Sequence, residues 1–426
     1  MSRFRGALPV AALATAFLAL AACGGKAPSV GGVGADVGST AVKQGEKGSL
    51  TVGLLNPTTG PFTALGTDVN AGFELYLASK GGTLGGYGIN VAKEDETNDP
   101  AVATTKARQL VEKDKAGIVI GLVNSGDAYA VAPYLKGAAV PLLVTVAGAD
   151  GLTRTKDGNL FRVSYTSSQD TMPAGDYVCK TLGLKTASIM ALDYSFGWEA
   201  AGGFARTYTD AGCKVVQELY APLGTQDYGP YVTQIDRKAQ VVFTVTPGSD
   251  AVRFFKAVQG FGLKTPIFAH GSTTDETLAP ALAGTADGVR SSLHYTPVID
   301  NPANKAFVDA WTKKFGRSAN QYAEDGWAAG QVLEAALTGL TGEATPASIT
   351  KALPQVAIDA PRGPLKFDAY GQAVYDVYFR QVVRKDGASV NQIIGSAKDV
   401  TQFYTYPADE YLKFPSYDKL KGTWAK

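Results

Sequence analysis

Leu50-Thr51-Val52-Gly53-Leu54-Leu55 is a short apolar run of strand length, and it opens the alternation of strands and helices that decides the fold. Residues 66–80 read as a helix stopped by Gly81-Gly82. Residues 89–94 are the next strand. Asp99-Pro100 then opens a helix to about residue 113, with Asp as the cap and Pro in the first turn. A strand over 117–123, a helix over 128–138 and a strand over 141–146 complete the set. Strands that are apolar almost throughout and separated by helices belong to a parallel sheet covered on both faces.

The pattern then repeats. Strands over 186–192, 214–219, 240–246 and 265–269 alternate with helices over 197–211, 228–238 and 251–261, and 289–294 runs on as an extended segment. Helices return at 303–315, 325–340 and 346–353, and a hairpin-like pair, 363–367 with 373–383, comes last. The tail 398–426 is rich in Tyr, Lys and Pro and suggests no function. Two consecutive halves of this kind give an α/β fold of two doubly wound parallel-sheet lobes. Ligands of such sheets sit at the carboxyl ends of the strands, so the expected site is the cleft between the lobes.

Composition agrees. The 426 residues are long for one core and comfortable for two, and 45% hydrophobic with 19% charged is ordinary for a soluble globular chain. A formal net charge of +1 argues against a nucleic-acid partner, which needs a basic surface. Arg3 and Arg5 precede an apolar run over 7–22, broken only by Pro9 and too rich in alanine to be a membrane span of about 20 strongly apolar residues. Residues 1–22 therefore read as a secretory signal. The run ends Leu20-Ala21-Ala22-Cys23-Gly24, which resembles the bacterial lipobox. A diacylglycerol on Cys23 would anchor the chain; the alternative is an ordinary signal peptide cut nearby, with Cys23 incidental. Residues 23–48, Gly- and Ser-rich, read as the lipidated N-terminus and flexible tether. The expected location is the cell envelope, at the outer face of the cytoplasmic membrane or in the periplasm. Export places the remaining thiols, Cys179 and Cys213, in an oxidising setting. Each precedes a strand at the same end of a sheet. A bridge between them would contribute about 3–4 kcal/mol on the chain-entropy estimate, and two free buried thiols are the alternative.

Enzymatic chemistry finds little support. His270 and His294 are the only histidines, and no nucleophile elbow, HExxH or CxxC spacing occurs. Asp and Glu are too common to exclude a carboxylate-dependent hydrolase. No ligand cluster at metal spacing is present, so neither metal nor cofactor is implied.

Eight segments in order resemble one family. Asn56-Pro57-Thr58-Thr59-Gly60-Pro61-Phe62-Thr63-Ala64-Leu65-Gly66 resembles the signature after the first strand of the branched-chain amino-acid-binding proteins. Gly81-Gly82-Thr83-Leu84-Gly85-Gly86, Glu94-Asp95-Glu96-Thr97-Asn98-Asp99-Pro100, Gly121 to Ser125, Phe161-Arg162, Ser195-Phe196-Gly197, Gly260 to Pro266 and Pro364-Leu365-Lys366-Phe367-Asp368 with Gly371 resemble its later turns. The resemblance covers nearly the whole chain after the tether. It implies a type I periplasmic-binding (Venus-flytrap) fold with a three-strand hinge crossing near Tyr165, Tyr295 and Phe367. Lobe I would be 49–164 plus 296–365, and lobe II 165–295 plus 366–426. It implies capture of a small organic solute, an amino acid or an amphipathic carboxylate or amide, for an ABC importer whose permease subunits are the partners. A receptor feeding a separate sensor is the alternative within the same fold.

The resemblance also places a site. Ser125, at a helix start after a strand, suits a carboxylate and corresponds to the family's ligand-binding Ser, although a plain N-cap reads equally well. Ala147-Gly148-Ala149 corresponds to a ligand-touching segment whose Thr is here Ala149, which removes an acceptor for an ammonium group. Phe196, with Tyr194 nearby, would cover an apolar ligand face or pack the helix start. Thr246 ends a strand as a cleft wall, and Phe62 and Leu65 form an apolar one. Where amino-acid binders carry an acidic residue, this chain has His270-Gly271-Ser272. An uncompensated ammonium there is expensive, so His270 is expected to bond a ligand oxygen or to cap its strand. Trp327 reads as structural, and Asp325 stays open between the two roles. The ligand expected is a carboxylate or amide with an apolar body.

Overall fold

The computed structural model describes residues 45–425, all within one compact unit. The signal segment 1–22, Cys23 and most of the tether lie outside the described residues. The first sheet holds β1 (Ser49–Leu55), β2 (Thr83–Leu84), β3 (Tyr87–Glu94), β4 (Ile118–Gly121), β5 (Leu142–Val144) and β6 (Leu160–Arg162), in the order β2-β3-β1-β4-β5-β6. All its pairings are parallel except β2 with β3. Strand periodicity sorts its side chains. Leu50, Val52, Leu54, Ile118, Ile120 and Leu143 face one helical layer; Val119, Leu142 and Val144 face the other, with α2 (Pro100–Arg108) and α3 (Ser125–Gly137).

The first layer is built on α1 (Thr63–Ser79) and a later helix over Gln321–Thr338. They cross closely enough that a Cβ on Gly72 would lie 2.0 Å from the Ala323 carbonyl oxygen, and one on Gly326 would lie 2.0 Å from that of Val69. Only glycine fits both positions, and this approach fixes the residues next to Gly326 on the hinge.

The second half opens with α4 (Met172–Asp176), then β7 (Thr186–Leu192), α5 (Ser195–Asp210), β8 (Lys214–Ala221), α6 (Gly229–Gln234), β9 (Val241–Val245), α7 (Ser249–Gly260), β10 (Ile267–His270), α8 (Ala279–Leu282) and β11 (Arg290–Leu293). The chain returns through α9 (Pro302–Phe315), α10 (the Gln321–Thr338 helix), α11 (Pro346–Ala352), β12 (Ala357–Ala360) and β13 (Gly363–Phe367). It ends with β14 (Ala373–Lys385), β15 (Ala388–Val400), α12 (Ala408–Tyr411) and α13 (Tyr417–Leu420). The second sheet runs β12-β13-β14-β11-β10-β9-β7-β8, with β15 beside β14. β7 to β11 pair parallel, and β14 joins β11 and β15 antiparallel. Parallel pairing therefore dominates two α/β lobes, and the antiparallel ribbon is the addition to a doubly wound plan. Ala187, Ile189 and Phe243 face one helical layer of this sheet, Met190, Leu192 and Val242 the other.

The elements differ from those expected in several places. α1 begins at Thr63, three residues before Gly66. α6 spans six residues, because Ile235 turns extended (φ −55°, ψ 127°). α10 begins at Gln321, capped by the Asn320 side chain, which accepts from the Ala323 N–H (3.0 Å), so Asp325 lies inside the helix. β15 went unanticipated because its sequence alternates poorly. Cys179 and Cys213, 34 residues apart, are joined in a disulfide with Cα atoms 6.0 Å apart, tying the turn after α4 to the start of β8.

Candidate ligand-binding site

The carboxyl ends of β1, β4 and β5 face those of β7, β9, β10 and β11, where neighbouring sheet halves leave loops free to carry ligand groups. In the first lobe, Asn124 caps α3 by accepting from the Gly126 N–H (2.7 Å), and this presents Ser125. The Ser125 Oγ accepts from the Ala149 N–H (3.1 Å), so two segments distant in sequence form one surface, and the hydroxyl proton stays free for an acceptor. Arg162 holds that loop from behind. Its Nη1 donates to the carbonyls of Ala147 (2.9 Å) and Ala149 (2.8 Å), Nε to Gln372 (2.6 Å) and Nη2 to Thr153 (2.6 Å). This guanidinium is fully buried, and every hydrogen-bond partner is neutral. Burial lowers its pKa to about 10, with Asp150 the largest opposing influence. Gly148 takes the Ser167 N–H (2.7 Å) and hydroxyl (2.8 Å) on its carbonyl. A Cβ at Gly148 would lie 3.2 Å from the Tyr165 ring, so glycine lets that ring lie against the loop. Phe62 and Leu65 pack with Val69, Val123, Val146 and Tyr322 as an apolar wall.

In the second lobe, Phe196 meets His270 edge-on, with ring centroids 5.0 Å apart, and Tyr194 lies 6.0 Å from Phe196. Tyr165, on the crossing between lobes, completes the cluster at 5.5 Å from His270 and 6.3 Å from Phe196. His270 is fully buried. Its Nδ1 accepts from the Ser272 N–H (3.1 Å), which puts the proton on Nε2, and that N–H has no partner among the described residues. Burial lowers its pKa to about 4, so the ring is neutral at physiological pH. Arg380, also fully buried, holds the following peptide by donating to the Gly271 carbonyl (2.9 Å). Thr246 is buried too, but its N–H goes to Thr273 (3.1 Å) and its hydroxyl lies 3.3 Å from that of Thr244; it braces the β10 loop.

The hinge carries a charge network that sequence spacing could not reveal. His294 Nδ1 lies 3.1 Å from Asp170 and Nε2 lies 3.4 Å from Asp325. Arg362 pairs with Glu324 and, at 2.6 Å, with Asp325, and it donates to the Val163 carbonyl (3.0 Å). The Tyr375 hydroxyl donates to Asp170 (3.1 Å). Burial works against the Arg362 charge, yet Glu324 and Asp325 outweigh it and hold the guanidinium above its ordinary range. His294, Glu324 and Asp325 stand close enough to share a cation. Arg362 already supplies that charge, so the set is an ion-pair network rather than a metal cradle. Away from the hinge, bonds between the halves include Gln321 Nε2 to Asp275 (3.1 Å) and the Asp150 N–H to Glu199 (3.1 Å).

The structure thus joins Ser125 to Ala147-Gly148-Ala149, Phe196 to His270, and Phe62 with Leu65 to Tyr322. Tyr322 and Arg380 escaped sequence reasoning, Arg162 figured there only within a family-resembling segment, and Tyr165 only as a crossing. The phenols of Tyr165, Tyr194 and Tyr322 make no hydrogen bond to any described residue.

A molecule that closes the strand ends of two sheets on such a seam, linked through a hinge, grips a small molecule between its halves: it is a two-lobed solute-binding protein. Residues 49–388 match the family model described as "Periplasmic binding protein", and the chain belongs to that family. It is 32% identical over 349 residues to the Leu/Ile/Val-binding protein homolog 6 of Brucella melitensis, covering 79% of this chain and 88% of that one. An ABC transporter substrate-binding protein from Sphaerobacter thermophilus superposes with a TM-score of 0.80 at 32% identity, over 83% of this chain and 99% of that one. A solute-binding protein of an ABC transporter from R. palustris, in complex with benzoate, gives 0.76 at 32% identity, over 83% and 98%. Among the described residues no helix is long and apolar enough to cross a membrane.

Proposed function

We propose that this chain is the extracytoplasmic solute-binding component of an ABC importer, and that its solute is an aromatic carboxylate of the benzoate class. The observation that carries the ligand class is His270: a neutral, buried ring with an unpartnered N–H, in the place where an amino-acid binder needs a negative charge. The rest of the seam fits the same chemistry. Rings of Tyr165, Phe196 and Tyr194 suit a flat apolar body, and Ser125 with Ala147-Gly148-Ala149, backed by the unneutralised Arg162, suits its carboxylate. The benzoate complex of the R. palustris relative supports this class.

A branched-chain amino acid is the second reading. The Brucella relative's name favours it, and so does the Asp325 Oδ2, buried without a hydrogen-bond partner, which would accept from an ammonium. Calorimetry against benzoate, 4-hydroxybenzoate, leucine, isoleucine and valine separates the two. Binding heat with the benzoates and none with leucine is expected; tight leucine binding overturns the aromatic assignment.

The solute bridges lobe I (49–164 plus 296–365) and lobe II (165–295 plus 366–426), shifts the open–closed equilibrium and is passed unchanged to the permease. Mass spectrometry should recover it without chemical change. Cys23 carries the lipid that holds the protein at the membrane. Cys23→Ser should therefore move most of the protein from the membrane to the soluble fraction; unaltered membrane retention would show that Cys23 is not the anchor.

A further inference from the structure

The family match ends at residue 388, yet the chain continues, and its last segment is firmly placed. Gln402 donates to Asp368 (2.9 Å). Arg154, on the first-lobe loop that follows Ala149, lies over the rings of Tyr411 (4.6 Å) and Phe403 (5.8 Å) while pairing with Asp150 (2.7 Å). The same Tyr411 ring lies 5.8 Å from Arg206 of α5, which itself stacks on Phe414 (4.1 Å) and has no carboxylate partner among the described residues. A Cβ at Gly202 of α5 would lie 2.1 Å from the Tyr417 ring, so that helix is shaped to receive the segment. Further on, Lys421 pairs with Asp193, whose carboxylate also accepts from the Trp198 indole (2.8 Å). Glu218 then gathers the N–H groups of Gly422 (2.9 Å), Trp424 (2.7 Å) and Ala425 (3.0 Å).

The segment thus touches both loops that carry the candidate ligand groups: Ala147-Gly148-Ala149 through Arg154, and the corner of Tyr194 and Phe196 through Asp193. We infer that residues 401–425 form an inter-lobe clasp, in which Tyr411, shared by Arg154 and Arg206, and Lys421, fixed on Asp193, hold the two ligand loops at the separation a bound solute needs. Apparent affinity scales with the fraction of molecules in the binding-competent arrangement, so a clasp that raises this fraction tightens binding without touching the solute. The inference rests on the solute-binding reading above.

The test uses the full mature chain, with benzoate as the probe. Tyr411→Leu keeps apolar bulk and removes the ring face. It should speed benzoate dissociation about five- to twentyfold, matching the loss of a desolvated cation–π contact, and should raise the solute-free radius of gyration in X-ray scattering. Tyr411→Phe keeps the face and should dissociate benzoate at the wild-type rate, with only the melting temperature lowered by loss of the hydroxyl's bond to Tyr417 (2.7 Å). Lys421→Met, at a partly exposed position, should speed dissociation about threefold, and it carries the test if Tyr411→Leu does not fold. In Tyr411→Leu and Lys421→Met, unchanged dissociation and an unchanged radius, with only the melting temperature lowered, would reduce the segment to packing and overturn the clasp. If wild type binds no aromatic acid, the solute reading fails, while the scattering comparison still decides the clasp.

Discussion

Arg362→Met is expected to lower the unfolding free energy by about 3–5 kcal/mol, read as a shifted urea midpoint, and to abolish solute binding. Glu324 and Asp325 are fully buried, and Arg362 is ion-paired with both. Methionine fills the volume and leaves two adjacent carboxylates in a medium that stabilises neither. Burial already holds the Glu324 carboxyl above its ordinary range, so the relaxed variant takes up a proton there. The loss should then shrink as pH falls, because a group whose folded-state pKa is raised contributes stability below that pKa and loses it above. Arg362→Lys keeps charge but cannot fork between two carboxylates, and an intermediate loss is expected. Adding Glu324→Leu to Arg362→Met should recover part of the stability, since an apolar replacement of a whole buried pair approaches neutrality. Binding suffers with folding because Arg362, Asp170, His294 and Tyr375 come from separate passages of the chain at the hinge. A loss under 1 kcal/mol would mean that the network is solvated in solution.

The same residues show why the hinge was hidden in the sequence while the lobes were open to view. Leu50, Val52 and Leu54 announce a strand by spacing alone, and Asp99-Pro100 announces a helix start by local hydrogen bonding. Ser125, Gly148 and Phe196 entered as candidates through the family resemblance, whose motifs lie in short loops after parallel strands. Tyr165, Tyr322, Arg162 and Arg380 act through partners far away in sequence, and nothing in their neighbours distinguishes a site tyrosine from a core one. The start of α10 was misplaced for a related reason. Gln321 and Glu324 are polar, and a polar first turn reads as solvent-exposed unless the buried Arg362 and Asp275 that receive it are known. Thr246 shows the converse: it ends its strand at the expected edge but spends its groups on Thr273 and Thr244.

His270→Glu is expected to weaken benzoate binding about 100- to 1,000-fold at neutral pH, equivalent to about 3–4 kcal/mol. In wild type the ring enters the seam uncharged, because burial holds its pKa near 4, and it offers an Nε2–H with no competing partner. The His270 ring itself should therefore add no pH dependence between about pH 5 and 8. A carboxylate at this position faces the solute's own carboxylate across an aromatic, poorly hydrated space, where like charges cost several kcal/mol. The variant escapes only by protonating. Burial raises the introduced carboxyl's pKa, so its affinity for benzoate should rise as pH falls through that value and should be lost above it. His270→Gln retains an N–H donor without charge, and a loss within about tenfold is expected. Calorimetry across pH with benzoate and leucine reads all of these. Wild-type benzoate affinity that survives His270→Glu within threefold would remove His270 from the site. Leucine binding gained by that variant, with benzoate lost, would locate the choice between amino acids and aromatic acids at this one position.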